Sequence, residues 1–220
     1  MTRTSWFVFD AYGTLLDVES AGRRLDPPHA LPPGLISVWR AKQLEYTWTL
    51  QAMRAYRDFE VLTDDALDYA VAATGSSCGA VERLRDAYLH LEPFPETLAV
   101  LKALKMSGSR LAVLSNGTAA MLARALDSAG ISPALDDVIS VDGISTFKPD
   151  PRAYEHALDR LGAEPSEIRF VSANAWDAAG AQRAGLDATW INRTGRPPEY
   201  GLVAASGERQ DLRRLLTTLP

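Results

Sequence analysis

Trp6-Phe7-Val8-Phe9-Asp10-Ala11-Tyr12-Gly13-Thr14-Leu15 begins with an unbroken run of aromatic and branched residues and turns polar at Asp10. Such a run suits a strand covered on both faces in a parallel sheet, because that strand has no solvent face for polar residues to occupy. Similar runs recur at 111–114, 138–141, 168–171 and 188–191. Stretches of helical composition at 97–105, 119–129, 153–161 and 175–184 have about the length that a crossover between parallel strands requires. They end close to Gly108, Gly130, Gly162 and Gly185, as left-handed helix caps favour. Asp150-Pro151 reads as an N-cap followed by proline in the first turn. The alternation predicts an α/β protein with a Rossmann-like open parallel sheet and its ligands at the carboxyl ends of the strands.

Residues 16–92 break this rhythm. They contain no convincing strand and read as helical apart from a proline-rich loop at 26–34, which predicts a helical cap subdomain inserted after the first strand. Residues 1–15 and 93–220 are left as the Rossmann-like catalytic core. A long cap helix at 35–56 sets Ile36, Trp39, Tyr46, Leu50 and Met53 on one side, with Lys42, Glu45 and Thr49 on another. Arg40 shares the i, i+4, i+8 stripe with Leu44 and Trp48, so its guanidinium is expected to project from an apolar wall.

The 220 residues, 46% of them hydrophobic, supply one substantial core or a core carrying a smaller inserted unit. The charges behind the net -5 are interspersed, with no long basic run to follow a phosphate backbone, so nucleic acid is not an expected partner. No apolar stretch approaches the roughly 18 residues that cross a bilayer, and no secretion signal is evident. No membrane partner is therefore expected, and the cytoplasm is the expected location. Cys78 is the only cysteine, which excludes an internal disulfide and a thiolate metal cluster and reads as a small buried or half-buried residue of the helical insert. His29, His90 and His156 lack the spacing of a zinc site or a partnered serine triad. Catalysis, if present, rests on carboxylates.

Polar groups follow the strands: Asp10 the first, Ser115-Asn116-Gly117 the second, Lys148 the third, and Ser172-Ala173-Asn174-Ala175-Trp176-Asp177 the fourth. Gathered at one sheet edge they make a cleft with two carboxylates, a lysine, hydroxyls and amides, the groups that covalent catalysis needs. Each also has a plainer reading. Asp10 can cap the turn through Gly13 and Thr14, Ser-Asn-Gly suits a strand-to-helix turn, Lys148 suits a solvated loop, and Asp177 complements a helix dipole.

Phe9-Asp10-Ala11-Tyr12-Gly13-Thr14-Leu15, Ser115-Asn116-Gly117, Lys148-Pro149-Asp150 and the run from Ser172 to Asp177 resemble the signature motifs of the haloacid dehalogenase superfamily. More narrowly, with Trp39-Arg40-Ala41-Lys42-Gln43-Leu44-Glu45-Tyr46-Thr47-Trp48 in the cap, the chain resembles the L-2-haloacid dehalogenases. The resemblance implies Asp10 as nucleophile, Lys148 and Thr14 as its companions, and Asp177 with Ser172 and Asn174 as the groups that activate water. It implies that Ser115 holds the substrate carboxylate, that Arg40, Asn116 and Trp176 surround the departing halide, and that Tyr12, Leu44, Phe59 and Tyr154 contact substrate. The substrate is then a small 2-haloacid, and a homodimer is typical of the family.

Phosphatases of the superfamily carry a second aspartate two residues after the nucleophile, where this chain has Tyr12, and paired acids in the fourth motif, where it has Asn174 and Asp177. A hard divalent cation needs several oxygen ligands, so the expectation is no metal and no cofactor. A magnesium-dependent phosphatase and a catalytically silent binding protein on the same fold are the alternatives.

Overall fold

The computed structural model describes residues 6–23, 31–75, 81–202 and 210–218. In chain order the elements are β1 (Trp6–Phe9), β2 (Leu16–Asp17), α1 (Ser20–Arg23), α2 (Leu35–Met53), α3 (Phe59–Thr74), α4 (Val81–Tyr88) and β3 (Glu92–Pro93). They continue with α5 (Thr97–Met106), β4 (Arg110–Ser115), α6 (Ala119–Ser128), β5 (Asp137–Ser140), α7 (Pro151–Leu161), β6 (Ile168–Ser172), α8 (Ala175–Arg183) and β7 (Asp187–Trp190). Five strands form one parallel sheet in the order β5-β4-β1-β6-β7. The chain builds outward from β1 to β5 on one side and then crosses to β6 on the other, so β1 lies at the switch point where open sheets bind ligands.

Covering helices explain the continuous apolar runs. Phe7 and Phe9 face one buried layer with Leu111 and Val113, while Trp6 and Val8 face the other with Ala112 and Leu114. Fully burying such a side chain contributes about 1.5–3 kcal/mol. The first layer continues past the sheet into Tyr12, Trp39, Phe59 and Tyr88, so the α2–α4 region shares its apolar core with one face of the sheet. Helix ends follow the local chemistry read from the sequence: Asp150 accepts from Arg152 N at the start of α7, and Gly162 closes it at φ 57.

Two expectations are corrected. Residues 16–92 do contain strand: β2 pairs antiparallel with β3, so the chain leaves and returns as a narrow ribbon, with Ser20 Oγ accepting from Glu92 N at 2.9 Å. A two-residue strand has no periodicity for a sequence to display. The long cap helix ends at Met53, where Arg54 turns left-handed, and its buried stripe is Leu35, Trp39, Gln43 and Thr47. Met53, assigned to the apolar face, is 63% exposed. Gln43 and Thr47 escaped notice because a polar side chain that is hydrogen-bonded inside carries no hydrophobic signal. Cys78, His29 and most of the loop at 26–34 lie outside the described residues. No helix among the described residues is long and apolar enough to cross a membrane.

Gly180, inside α8, marks a close approach. A Cβ there would sit 2.5 Å from the Tyr154 hydroxyl oxygen and 2.6 Å from Pro149 Cβ. Gly180→Ala is expected to destabilise the fold by about 1–3 kcal/mol despite alanine's better helix propensity. A denaturant midpoint equal to or above that of the parent chain would refute this crowding.

Candidate active site

β1 hands Asp10 to the carboxyl edge, where Asp10 N continues the ladder to Val171 O at 2.9 Å. Gly13 then takes φ 87, a region few side chains adopt, and the chain turns back. The turn brings Thr14 Oγ1 to Asp10 Oδ2 as a donor at 2.8 Å, while Thr14 Oγ1 itself accepts from Ala173 N at 2.8 Å. Asn174 Nδ2 donates to Asp10 Oδ2 at 2.8 Å as well. The other carboxylate oxygen, Oδ1, accepts from Lys148 Nζ at 2.9 Å.

Lys148 is 1% exposed, and its ammonium also donates to Leu114 O at 3.0 Å and to Asp177 Oδ2 at 2.7 Å. Its backbone N is held by Asn116 Oδ1 at 2.8 Å. Asp177, fully buried on the first turn of α8, accepts from Tyr154 Oη at 2.8 Å on its second oxygen. Burial alone would lower the Lys148 pKa, but the carboxylates of Asp10 and Asp177 outweigh it and hold the ammonium above the ordinary lysine value. Burial raises the Asp177 carboxyl above its usual range; Lys148 pulls it down and the charge on Asp10 pushes it up again. One ammonium shared between two buried carboxylates leaves Asp177 with a stronger appetite for a proton than a solvated aspartate has, as a base for water requires.

A cleft of about 640 Å³ opens over this edge, lined among others by Gly13, Arg40, Leu44, Asn174 and Trp176. Arg40 leans from α2 so that Nη2 lies 3.4 Å from Tyr12 O, the same carbonyl that Asn174 Nδ2 approaches at 3.3 Å. Trp176 meets Trp48 of α2 edge-on at 5.5 Å. Tyr12 and Phe59 are buried and pack ring to ring at 6.0 Å. Ser115 and Asn116 are buried at the end of β4, where Ser115 Oγ accepts from Gly117 N at 3.2 Å. Ser172 Oγ accepts from Asn174 N at 3.1 Å and so shapes the loop that carries Asn174. Among the described residues no three His, Cys, Asp or Glu side chains gather as a metal site.

Tyr154, expected to touch substrate, lies beside Asp177. It is fully buried, bonded through its hydroxyl to the carboxylate and the backbone O of Asp177, and packed edge-on against Phe170. These bonds hold the Asp177 carboxylate in place. Three contributors went unread in the sequence. Gln43 and Tyr88 lie behind Arg40, and Arg193 donates to Thr14 O and to Glu96 Oε1, each at 2.7 Å, with its guanidinium 3.6 Å over the Phe94 ring. Arg193 follows β7 at the carboxyl edge, so the rule that singled out the other strand ends would have found it. Gln43 is three residues from Arg40 on one helix, a spacing at which side chains meet.

Residues 4–185 match the haloacid dehalogenase-like hydrolase family. The chain is 46% identical to (S)-2-haloacid dehalogenase 4A of Burkholderia cepacia, over 88% of this chain and 85% of that one. It is 45% identical to (S)-2-haloacid dehalogenase 1 of Pseudomonas sp. strain CBS-3, over 94% and 93%. The structure of the L-2-haloacid dehalogenase of Xanthobacter autotrophicus with chloropropionic acid covalently bound is similar at a TM-score of 0.79 and 36% identity, covering 87% of this chain and 79% of that one.

Lys148 and the buried phenols of Tyr12, Tyr88 and Tyr154 hold their protons more tightly folded than unfolded, since the pKa of each is raised. Their contribution to stability is therefore full below the unfolded values and is lost as pH rises past them. The urea midpoint is expected to fall steadily as pH climbs above about 10. A midpoint that stays level from there to about pH 12 would contradict this arrangement.

Proposed function

The chain belongs to the haloacid dehalogenase-like hydrolase family, and from that premise we propose that it hydrolyses short L-2-haloalkanoic acids to D-2-hydroxy acids and halide through an ester on Asp10. The observation that carries the reading is the Lys148 ammonium between Asp10 and Asp177, with an aromatic Tyr12 two residues after the nucleophile. Tyr12 and Asn174 stand where a magnesium-dependent phosphatase places carboxylates, and a hard divalent cation needs several oxygen ligands, which supports metal-independent chemistry over phosphoryl transfer.

In the first step an oxygen of Asp10 attacks the halogen-bearing carbon from the side opposite the leaving group. A carbon–oxygen bond forms, the carbon–halogen bond breaks, and halide departs with its electron pair. Thr14, Asn174 and Lys148 donate to the two oxygens of Asp10, which holds the carboxylate in one orientation while the apolar surround strips its water. Arg40, the amide nitrogen of Asn116 and the Trp176 ring receive the halide, Ser115 binds the substrate carboxylate, and Leu44, Tyr12 and Phe59 shape the apolar side. In the second step Asp177 takes a proton from water, whose oxygen adds to the ester carbonyl of Asp10. The ester then opens between acyl carbon and alkyl oxygen, and the proton completes the product hydroxyl. Only the first step touches the substrate carbon, so its configuration inverts once. Residues 16–92 act as the cap that closes over residues 1–15 and 93–220, and a homodimer in the cytoplasm completes the proposal.

Chloride release from L-2-chloropropionate is expected to persist undiminished in excess chelator, with no aryl-phosphate hydrolysis when magnesium is added; the reverse pattern would assign a phosphatase, and neither activity a silent binding protein. Asp177→Asn is expected to slow turnover by about 10²–10⁴-fold and to accumulate protein heavier by the substrate's carboxyalkyl group on intact mass spectrometry. Parent-like turnover with no adduct would leave Asp177 as a structural partner of Lys148. In one turnover in heavy-oxygen water with enzyme in excess, the label belongs in the Asp10 side chain. Label in the product and none in the Asp10 peptide would make Asp10 a general base.

A further inference from the structure

Gln43 is 1% exposed in the middle of α2, an expensive place for an amide unless all of its polar atoms are engaged. They are. Its Oε1 accepts from Arg40 Nη1 at 2.5 Å and from Tyr88 Oη at 3.2 Å, while its Nε2 lies 2.6 Å from Thr63 Oγ1 and 3.1 Å from Tyr88 Oη. The Thr63 hydroxyl has one hydrogen, and that hydrogen goes to Phe59 O at 2.6 Å. Thr63 can therefore only accept from residue 43, so the amide nitrogen must point at Thr63 and the carbonyl oxygen at Arg40. Thr63 is itself anchored, since its backbone O accepts from Trp39 Nε1 at 2.8 Å.

The orientation runs in one direction, from the backbone of α3 through Thr63 and Gln43 to the guanidinium. Tyr88 extends it toward the nucleophile by stacking on Tyr12 at 5.2 Å and 14°. Tyr12 in turn offers the carbonyl shared by Arg40 Nη2 and Asn174 Nδ2. Burial keeps the Tyr88 phenol neutral against the pull of Arg40, so its hydrogen is available to Gln43 Oε1.

We infer that Gln43, its amide fixed by Thr63, is the positioning residue that aims the Arg40 guanidinium into the cleft, so the strength of halide capture is set by a buried relay in α2, α3 and α4. This rests on the assignment of Arg40 to the halide. An arginine on a half-exposed helix face has many rotamers. One Nη held by Gln43 leaves the other side of the planar fork directed at the Tyr12 carbonyl and the space beside it, which reduces the ordering that capture of an anion requires.

The test is a double-mutant cycle of Gln43→Leu with Arg40→Lys, read by single-turnover halide release and by bromide binding through tryptophan fluorescence, which needs no turnover. In the parent background Gln43→Leu is expected to weaken both by about tenfold to a hundredfold, the range for a lost hydrogen bond to a charged group. In the Arg40→Lys background, where no fork remains to be aimed, it is expected to change either by less than about twofold. Thr63→Val, which touches neither Arg40 nor the cleft, should reproduce the loss in smaller measure and serves in its place if Gln43→Leu does not fold. Equal losses in the two backgrounds would overturn the inference and leave Gln43 a core residue of the cap. A parent enzyme that releases no halide from any 2-haloacid would instead overturn the functional reading beneath it.

Discussion

The Lys148 ammonium has three hydrogens and three acceptors: Asp10 Oδ1 at 2.9 Å, Leu114 O at 3.0 Å and Asp177 Oδ2 at 2.7 Å. Two carboxylates and a lysine removed from water are tolerable only when each finds its partners, and deleting one member of such a buried set typically costs about 3–5 kcal/mol. The groups come from four places in the chain: the end of β1, the backbone of β4, the loop after β5 and the first turn of α8. The sheet order, with β4 and β6 on either side of β1, is what lets these places coincide.

Charge in that cluster depends on apolar layers that contribute no chemistry. Tyr154 reaches Asp177 only because Gly180 leaves room beside it, and Phe170 packs under both Tyr154 and the Lys148 ammonium, the latter at 5.4 Å from its ring. Packing that excludes water strengthens the field each group feels and keeps the Asp10 carboxylate poorly solvated. The arrangement that stabilises the fold is thus the one that prepares the carboxylate.

A second constraint joins the α2–α4 region to the sheet. The β2–β3 ribbon is narrow, but Arg193 bridges its surroundings by holding Thr14 O and Glu96 while stacking on Phe94, and the buried layer of Phe9, Tyr12, Phe59 and Tyr88 is continuous across the joint. Arg40 can therefore be aimed from α2 at a group carried by the β1 loop with little play. Because Tyr12 O takes both Arg40 and Asn174, small displacements of α2 reach the residues that hold Asp10.

The sequence by itself determined the parallel strands, the crossover helices and their caps, because apolar runs, glycine at helix ends and Asp-Pro at a helix start act over a few residues. Its motifs also picked out Asp10, Lys148 and Asp177 as groups that could meet at one edge. It could not show that their meeting would be a single three-acceptor ammonium, since that depends on which strands are neighbours. Nor could it show the β2–β3 ribbon, the inward face of Gln43 and Thr47, or the Tyr154 hydroxyl bonded to Asp177. Local pattern reports how one residue prefers to sit; whether a buried amide or phenol is satisfied depends on partners tens of residues away, such as Thr63 for Gln43 and Asp177 for Tyr154. Those pairings exist only once the chain has folded, and they decide which polar residues can be buried and where each points.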